Sequence, residues 1–142
     1  MNSKILAALV LAVLGTVLAL SSGFGQVDLA KALVGKWEGE LELASGVTGN
    51  PNRTLIIESV TQRDGNWVGT GRFGITGQGL GKVEIEISDS GGRPFIRFVT
   101  GAPSTVRLQL TGARELTGAT TFSGASNTGR GNDRALKLEK KD

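Results

Sequence analysis

The strongest constraint in this sequence is the strict alternation of side chains in three short segments. In residues 36–43 (KWEGELEL), 82–88 (KVEIEIS) and 105–111 (TVRLQLT), every second residue is apolar or glycine, and those between are charged or polar. An extended chain turns successive side chains to opposite faces, so a period of two predicts a β-strand with one buried and one solvated face. The fold should therefore be a sheet that buries a single face.

Five further segments complete a set of eight predicted strands: residues 53–61, 66–75, 94–100, 115–123 and 134–140. The first and third of these are apolar on both faces for part of their length, so alternation leaves their register open. The gaps between consecutive strands are too short for a crossover helix, which makes neighbouring strands antiparallel. We therefore predict an all-β fold, an eight-stranded antiparallel up-and-down barrel, with a two-sheet β-sandwich as the alternative.

The N-terminal part of the chain precedes these strands. Residues 1–4 include one lysine, residues 5–20 are a run of sixteen apolar or small residues, and the segment SSGFGQ follows. This order is typical of a signal peptide over residues 1–25, which leaves residues 26–142 as a single β-barrel domain. A retained membrane anchor is the alternative, but spanning a bilayer takes about 20 residues. We expect an exported protein, periplasmic or extracellular, with no membrane span in its mature form.

Residues 27–34 (VDLAKALV) have the spacing of a short helix, with Asp28 as its N-cap. A helix of this length is not stable alone in water, so it should pack against the barrel. We therefore predict a short N-terminal helical turn before the first strand.

The composition excludes several kinds of active site. The chain has no histidine and no cysteine, so it has no Ser-His-Asp triad, no cysteine nucleophile, no histidine-ligated zinc and no iron–sulfur cluster. The strand glutamates alternate to the outer face and do not predict an acid/base pair. A net charge of +3 is too small to indicate a nucleic-acid partner. We expect a protein that is not an enzyme and holds no metal or other cofactor.

The start of the first predicted strand resembles the lipocalins and related calycin-type barrels. A short helical turn leads into Gly35-Lys36-Trp37, which is similar to the Gly-x-Trp opening of that family. The surrounding segment LVGKWEGEL also looks like the start of small exported bacterial lipocalin-like domains. The resemblance implies that Trp37 closes one end of the barrel and that Arg134, on the last strand, caps its ring by a cation–π contact. Gly35, Trp37 and Arg134 are thus the predicted end cap.

The resemblance also implies a small, largely apolar ligand, and the interior decides whether the barrel can hold one. Glycines 39, 69, 71 and 118 share the inward face with large apolar residues. The missing side chains either leave a cavity for such a ligand, or let the strands bend while larger neighbours fill the lumen. We expect an exported, non-enzymatic binding protein that holds this ligand in the barrel lumen, which requires a hollow lumen. The alternative, which a filled lumen favours, is an envelope or secreted interaction or inhibitor module that meets a protein partner through its loops and outer face.

The candidate ligand-binding residues are four aromatic side chains and one arginine, namely Trp67, Phe73, Phe98, Phe122 and Arg97. Arg97 is the one charge within the apolar segment PFIRFV. Turned inward, it would anchor an anionic headgroup, since a buried cation needs a partner. Turned outward, it is an ordinary solvated charge, and this orientation is favoured because Ile96 and Phe98 suit the interior.

Overall fold

The computed structural model describes residues 26–90, 92–101, 104–122 and 133–142; the predicted signal peptide lies outside these ranges. Helix α1 spans Gln26–Leu33 and is followed by eight strands. These are β1 (Gly35–Leu41), β2 (Asn52–Arg63), β3 (Asn66–Ile75), β4 (Gly81–Ser90), β5 (Arg93–Val99), β6 (Ser104–Gly112), β7 (Glu115–Phe122) and β8 (Asp133–Lys141). Within the described ranges, no helix has both the length and the apolar character that crossing a membrane would take.

The eight strands form one closed barrel. Each pairs antiparallel with the next along the chain, and β8 completes the ring by pairing with β1. This confirms the predicted barrel, and the sandwich alternative is wrong. Helix α1 packs at the end where β1 begins, here called the closed end. The opposite end, here called the mouth, is where β1 ends at Leu41 and β8 begins at Asp133.

The apolar side chains of the inner face fill the barrel. Less than 2% of the surface of each of the largest is accessible to water. They are the strand residues Trp37, Phe98, Leu55, Ile57, Ile85, Ile96, Leu108, Leu116, Leu136, Leu138 and Val106, together with Leu33 at the end of α1. Since water reaches almost none of this surface, these side chains leave no water-sized space between them. Of the two interpretations of the lumen, the structure supports the filled one.

The structure shows the two registers that alternation left open, which are those of β2 and β5. In β2, Leu55 and Ile57 are buried, and a register shift between Ile57 and Ser59 lets Val60 be the next buried residue. Such a bulge places two residues against one on the neighbouring strand and restores the apolar side chains to the core. In β5, Ile96 and Phe98 face inward.

The glycines on the inner face serve close approach between strands. A Cβ atom on Gly39 would overlap the carbonyl oxygen of Lys137, and one on Gly118 would overlap that of Arg107. A Cβ atom on Gly71 would likewise overlap the carbonyl oxygen of Ile56. A neighbouring backbone therefore occupies the place of each missing side chain, as expected where a small barrel turns its corners.

Candidate functional site

At the closed end, two side chains bind the end of α1 to the barrel. The buried Trp37 indole donates a hydrogen bond from Nε1 to the carbonyl oxygen of Leu33 at 2.9 Å. Lys140 donates from Nζ to the carbonyl oxygens of Lys31 at 3.0 Å and Ala32 at 3.3 Å. Its ammonium also lies 5.5 Å from the centroid of the Trp37 ring. The last carbonyls of a helix lack partners within it, so these bonds complete α1.

The prediction that Arg134 caps Trp37 is wrong, because the cation over the ring belongs to Lys140. Strand β8 runs antiparallel to β1, so its last residues meet the first residues of β1, and Trp37 pairs with Lys140. Arg134 pairs with Thr120 near the mouth. Arg134 and Lys140 are six positions apart along β8, which is roughly 20 Å.

Gly35 belongs to this closed end, where the sequence analysis placed it. Its φ of 143° is one that residues with side chains rarely adopt, and a Cβ there would lie 2.8 Å from Cε of Lys140. A glycine therefore lets the lysine side chain pass over the start of β1 to reach α1.

The five candidate ligand residues lie in four different places. Phe73 and Phe98 contact each other edge to face inside the barrel, with ring centroids 5.2 Å apart. Trp67 is half-buried near the start of β3, at the closed end. Phe122, the last residue of β7, lies at the mouth and is 37% exposed. Arg97 lies on the outer face, where its Nη1 is 3.1 Å from Oε2 of Glu86, so it does not reach the interior as an anchor.

A small cleft opens at the mouth, with a volume of about 220 Å³. This cleft, here called the mouth cleft, is lined by Leu41, Glu42, Leu43, Ala44, Val47, Arg53, Phe122 and Arg134. Val47, in the loop after β1, is 54% exposed. Since Phe122 is also exposed here, apolar surface that the filled lumen does not offer is accessible at this end.

Two arginines face into the mouth cleft. Arg53 stands two residues before the buried Leu55, and Arg134 two residues before the buried Leu136, so each shares the inward side of its strand. Arg53 donates from Nη1 to the carbonyl oxygens of Asn50 at 2.6 Å and Asn52 at 3.1 Å. These bonds hold its guanidinium at the rim. Partial burial lowers the pKa of Arg53 below its usual value, yet an arginine remains charged at neutral pH.

One carboxylate shares the cleft with these arginines. Glu42 accepts a hydrogen bond at Oε2 from the backbone N–H of Ala135 at 3.3 Å, which links the loop after β1 to β8. Arg134 donates from Nη1 to the carbonyl oxygen of Asp133 at 3.0 Å. The lining of the mouth cleft thus includes two guanidinium groups and one carboxylate.

Beneath the mouth, the inner face carries two buried hydroxyls. Ser104 bonds to the Thr100 hydroxyl, with 2.6 Å between the oxygens. Thr120 is 2% exposed, and its Oγ1 has no hydrogen-bond partner in the described part of the chain. A buried hydroxyl without a partner costs about 1–3 kcal/mol. The polar side chains of the interior are thus found at the mouth, and the apolar ones dominate elsewhere.

Two larger depressions lie on the outer face and are lined partly by charged residues. One, about 810 Å³, crosses β1 and β8 and includes Glu38, Glu40 and Glu139. The other, about 460 Å³, crosses β3 to β5 beside the Arg97–Glu86 pair. No group of three or more acidic side chains in the described ranges is arranged to hold a metal ion. The mouth cleft combines exposed apolar surface with the side chains of Arg53 and Arg134.

The chain matches no protein-family model, no curated protein and no solved structure. Sequence reasoning missed Arg53 and Val47 and assigned Arg134 to the wrong end. The signal for the two arginines was present, because each lies at two-residue spacing from inward leucines. Val47 carried no such signal, since it belongs to a loop.

Proposed function

We propose that this protein is an exported, non-enzymatic binding protein with a filled, lipocalin-like barrel, and that a small, largely apolar ligand binds at its mouth. The observation that carries the proposal is the contrast between the two regions. The lumen side chains are closed to water, whereas Val47 and Phe122 are exposed beside the mouth cleft. Apolar surface left in water costs free energy that a ligand recovers by covering it.

The lipocalin-like part of the proposal is supported by the closed end. Helix α1 covers the barrel where Gly35 and Trp37 begin β1, and a cation lies over the Trp37 ring. The cation is Lys140, on the last strand, in the role expected for an arginine. Export is supported by the lysine-containing start of the chain, residues 1–4, and the apolar run of residues 5–20.

A second candidate function is an interaction module that binds a protein partner across the whole mouth. Val99 favours it, because this residue is 51% exposed at the same end but does not line the mouth cleft. A partner that covers the rim would bury Val47, Phe122 and Val99 together. A small ligand would leave Val99 in water.

The two functions separate in one experiment. Residues 26–142 labelled with ¹⁵N are titrated with 1-octanol, a neutral apolar probe, and amide shifts are followed by NMR. We expect saturable shifts around Val47 and Phe122, lost in Val47→Ser and kept in the matched control Val99→Ser. No saturable shift in the wild type, or equal losses in both variants, would contradict ligand binding in the cleft and favour the interaction module.

A further inference from the structure

We propose that the outer face of β5 and β6 binds a phosphate or sulfate group between Arg97 and Arg107, here called the arginine pair, with Thr105 and Gln109 as further donors. None of these four residues lines the mouth cleft, so the inference goes beyond the proposed function and does not depend on it. It follows from the pairing of the two arginines, from their unused donors and from the charges around them.

The two arginines are direct neighbours on one side of the sheet. Arg97 of β5 pairs with Arg107 of β6, and each stands between two buried residues of its own strand, so both side chains point outward. Directly opposed residues have Cβ atoms about 4.5–5.5 Å apart, and like charges in such a pair destabilise the sheet. An anion that contacts both guanidinium groups removes this repulsion.

The protein itself balances only part of this charge. Nη1 of Arg97 lies 3.1 Å from Oε2 of Glu86, whose side chain is 71% exposed. Arg107 has no carboxylate partner in the described ranges. Its Nη1 is 3.5 Å from the Thr121 hydroxyl, which donates to Oδ1 of Asp133 at 2.6 Å. Strands β5 and β6 contain three arginines and no acidic residue, so one carboxylate faces the arginine pair.

The surface on the β7 side of the arginine pair suits an anion. The partner of Arg107 on β7 is Ala119, and residues 116–122 of that strand carry no charge, so no carboxylate of theirs repels an anion there. On β6, Thr105 and Gln109 flank Arg107 at two-residue spacing and share its face. Their hydroxyl and amide groups add hydrogen-bond donors without adding charge.

The geometry favours a tetrahedral oxyanion over a carboxylate. A phosphate or sulfate group has three or four oxygens, which can accept hydrogen bonds from two guanidinium groups and an uncharged donor together. A carboxylate has two oxygens, and Glu86 contacts Arg97 alone. A phosphate group carries a charge of about −1.5 to −2 at neutral pH, which matches the two positive charges of the arginine pair.

The test titrates inorganic phosphate into ¹⁵N-labelled residues 26–142 at constant ionic strength, held with NaCl, and follows backbone and arginine Nε–H signals by NMR. We expect saturable shifts at Arg97 and Arg107. Arg97→Gln and Arg107→Gln should each weaken binding by about fivefold or more, because each removes charge-assisted hydrogen bonds. The matched control Arg72→Gln removes an outer-face arginine that Glu58 already binds at 2.7 Å, and it should leave the affinity unchanged.

A second probe, phenyl phosphate, distinguishes a free anion from a phosphate ester. Val99 lies two residues from Arg97 on the same face and is 51% exposed, so the carbon part of an ester could cover it. For an ester, phenyl phosphate binds more tightly than inorganic phosphate and Val99→Ser removes the difference. Equal affinities assign a free anion, and either result supports the site.

A variant of Glu86 tests the inference with the opposite sign. Glu86→Gln removes the carboxylate that competes for Arg97, so it should tighten phosphate binding several-fold, whereas the arginine variants weaken it. The proposal is wrong if phosphate causes no saturable shift or if Glu86→Gln weakens binding. It is also wrong if Arg72→Gln weakens binding as much as Arg107→Gln does, because phosphate would then respond to net charge alone.

Discussion

The closed end offers a double-mutant test, because Trp37 and Lys140 both bind the last carbonyls of α1. Trp37→Leu removes the ring and the indole N–H, and Lys140→Met removes the ammonium but keeps an aliphatic chain of similar length. The two residues are direct neighbours across β1 and β8. Their effects on the free energy of unfolding should therefore not add.

The contacts set the magnitude of each effect. Lys140 makes two hydrogen bonds to helix carbonyls. Its interaction with the negative end of the helix dipole stabilises the fold by about 0.3–1 kcal/mol, and its contact with the Trp37 ring contributes about 0.5–1 kcal/mol. Burial of the ammonium, which also lowers the pKa of Lys140, offsets part of this gain, so we expect Lys140→Met to cost about 1–2 kcal/mol in total. Trp37→Leu leaves a cavity in place of a fully buried ring and should cost about 2–4 kcal/mol. The coupling between them should be about 1 kcal/mol.

Urea unfolding of residues 26–142, followed by far-UV circular dichroism, measures the cycle. A second cycle pairs Trp37→Leu with Arg134→Gln, which acts at the mouth and should add within about 0.5 kcal/mol. Coupling of Trp37 to Arg134 but not to Lys140 would refute the assignment of the closed end.

Three further predictions concern stability. Thr120→Val removes a buried hydroxyl that has no partner in the described part of the chain, and it should raise the free energy of unfolding by about 1 kcal/mol. Thr54→Val breaks the 2.8 Å hydrogen bond to the Thr76 hydroxyl and should lower the free energy of unfolding by about as much. Changes of the same sign in the two variants would contradict this assignment of hydrogen bonds. Gly118→Ala places a Cβ against the carbonyl oxygen of Arg107 and should lower the free energy of unfolding by about 3 kcal/mol. Gly49→Ala, where a Cβ meets nothing within 4 Å, should change it by less than about 0.5 kcal/mol. Urea unfolding measures both. Burial lowers the pKa of Lys140, so the folded chain releases this proton at a lower pH than the unfolded chain does. The free energy of unfolding should therefore rise with pH between the lowered pKa and about 10.4. The melting temperature, plotted against pH over this range, should rise more steeply in the wild type than in Lys140→Met.

The sequence predicted the barrel because its physical basis is local. Alternation in segments such as 82–88 and 105–111 defines the inner face, and short connections force antiparallel neighbours. The same alternation could not set β2, where a bulge after Ile57 changes which residues face inward. A bulge depends on packing against neighbouring strands, which the local pattern does not contain.

The site was harder to predict, because it depends on which strand ends meet. Arg134 and Lys140 share the inner face of β8 with Leu136 and Leu138, so alternation treats the two cations alike. Only the antiparallel closure of β8 on β1 distinguishes them, and it places Lys140 against Trp37. The sequence also could not decide whether the inward glycines leave a cavity or let strands approach closely, since the approach of one backbone to another becomes visible only in the closed barrel.

The central claim is that the barrel is filled and that apolar ligands bind only at its mouth, and xenon tests it most directly. Xenon enters dry apolar cavities without needing a polar partner, so methyl resonances recorded by NMR under xenon pressure report any hollow space. We predict no saturable shifts for the methyl groups of Leu55, Leu108 and Leu138, which water does not reach, and saturable shifts for Val47 at the mouth cleft. Saturable shifts among the three interior leucines would show a hollow lumen and contradict the account.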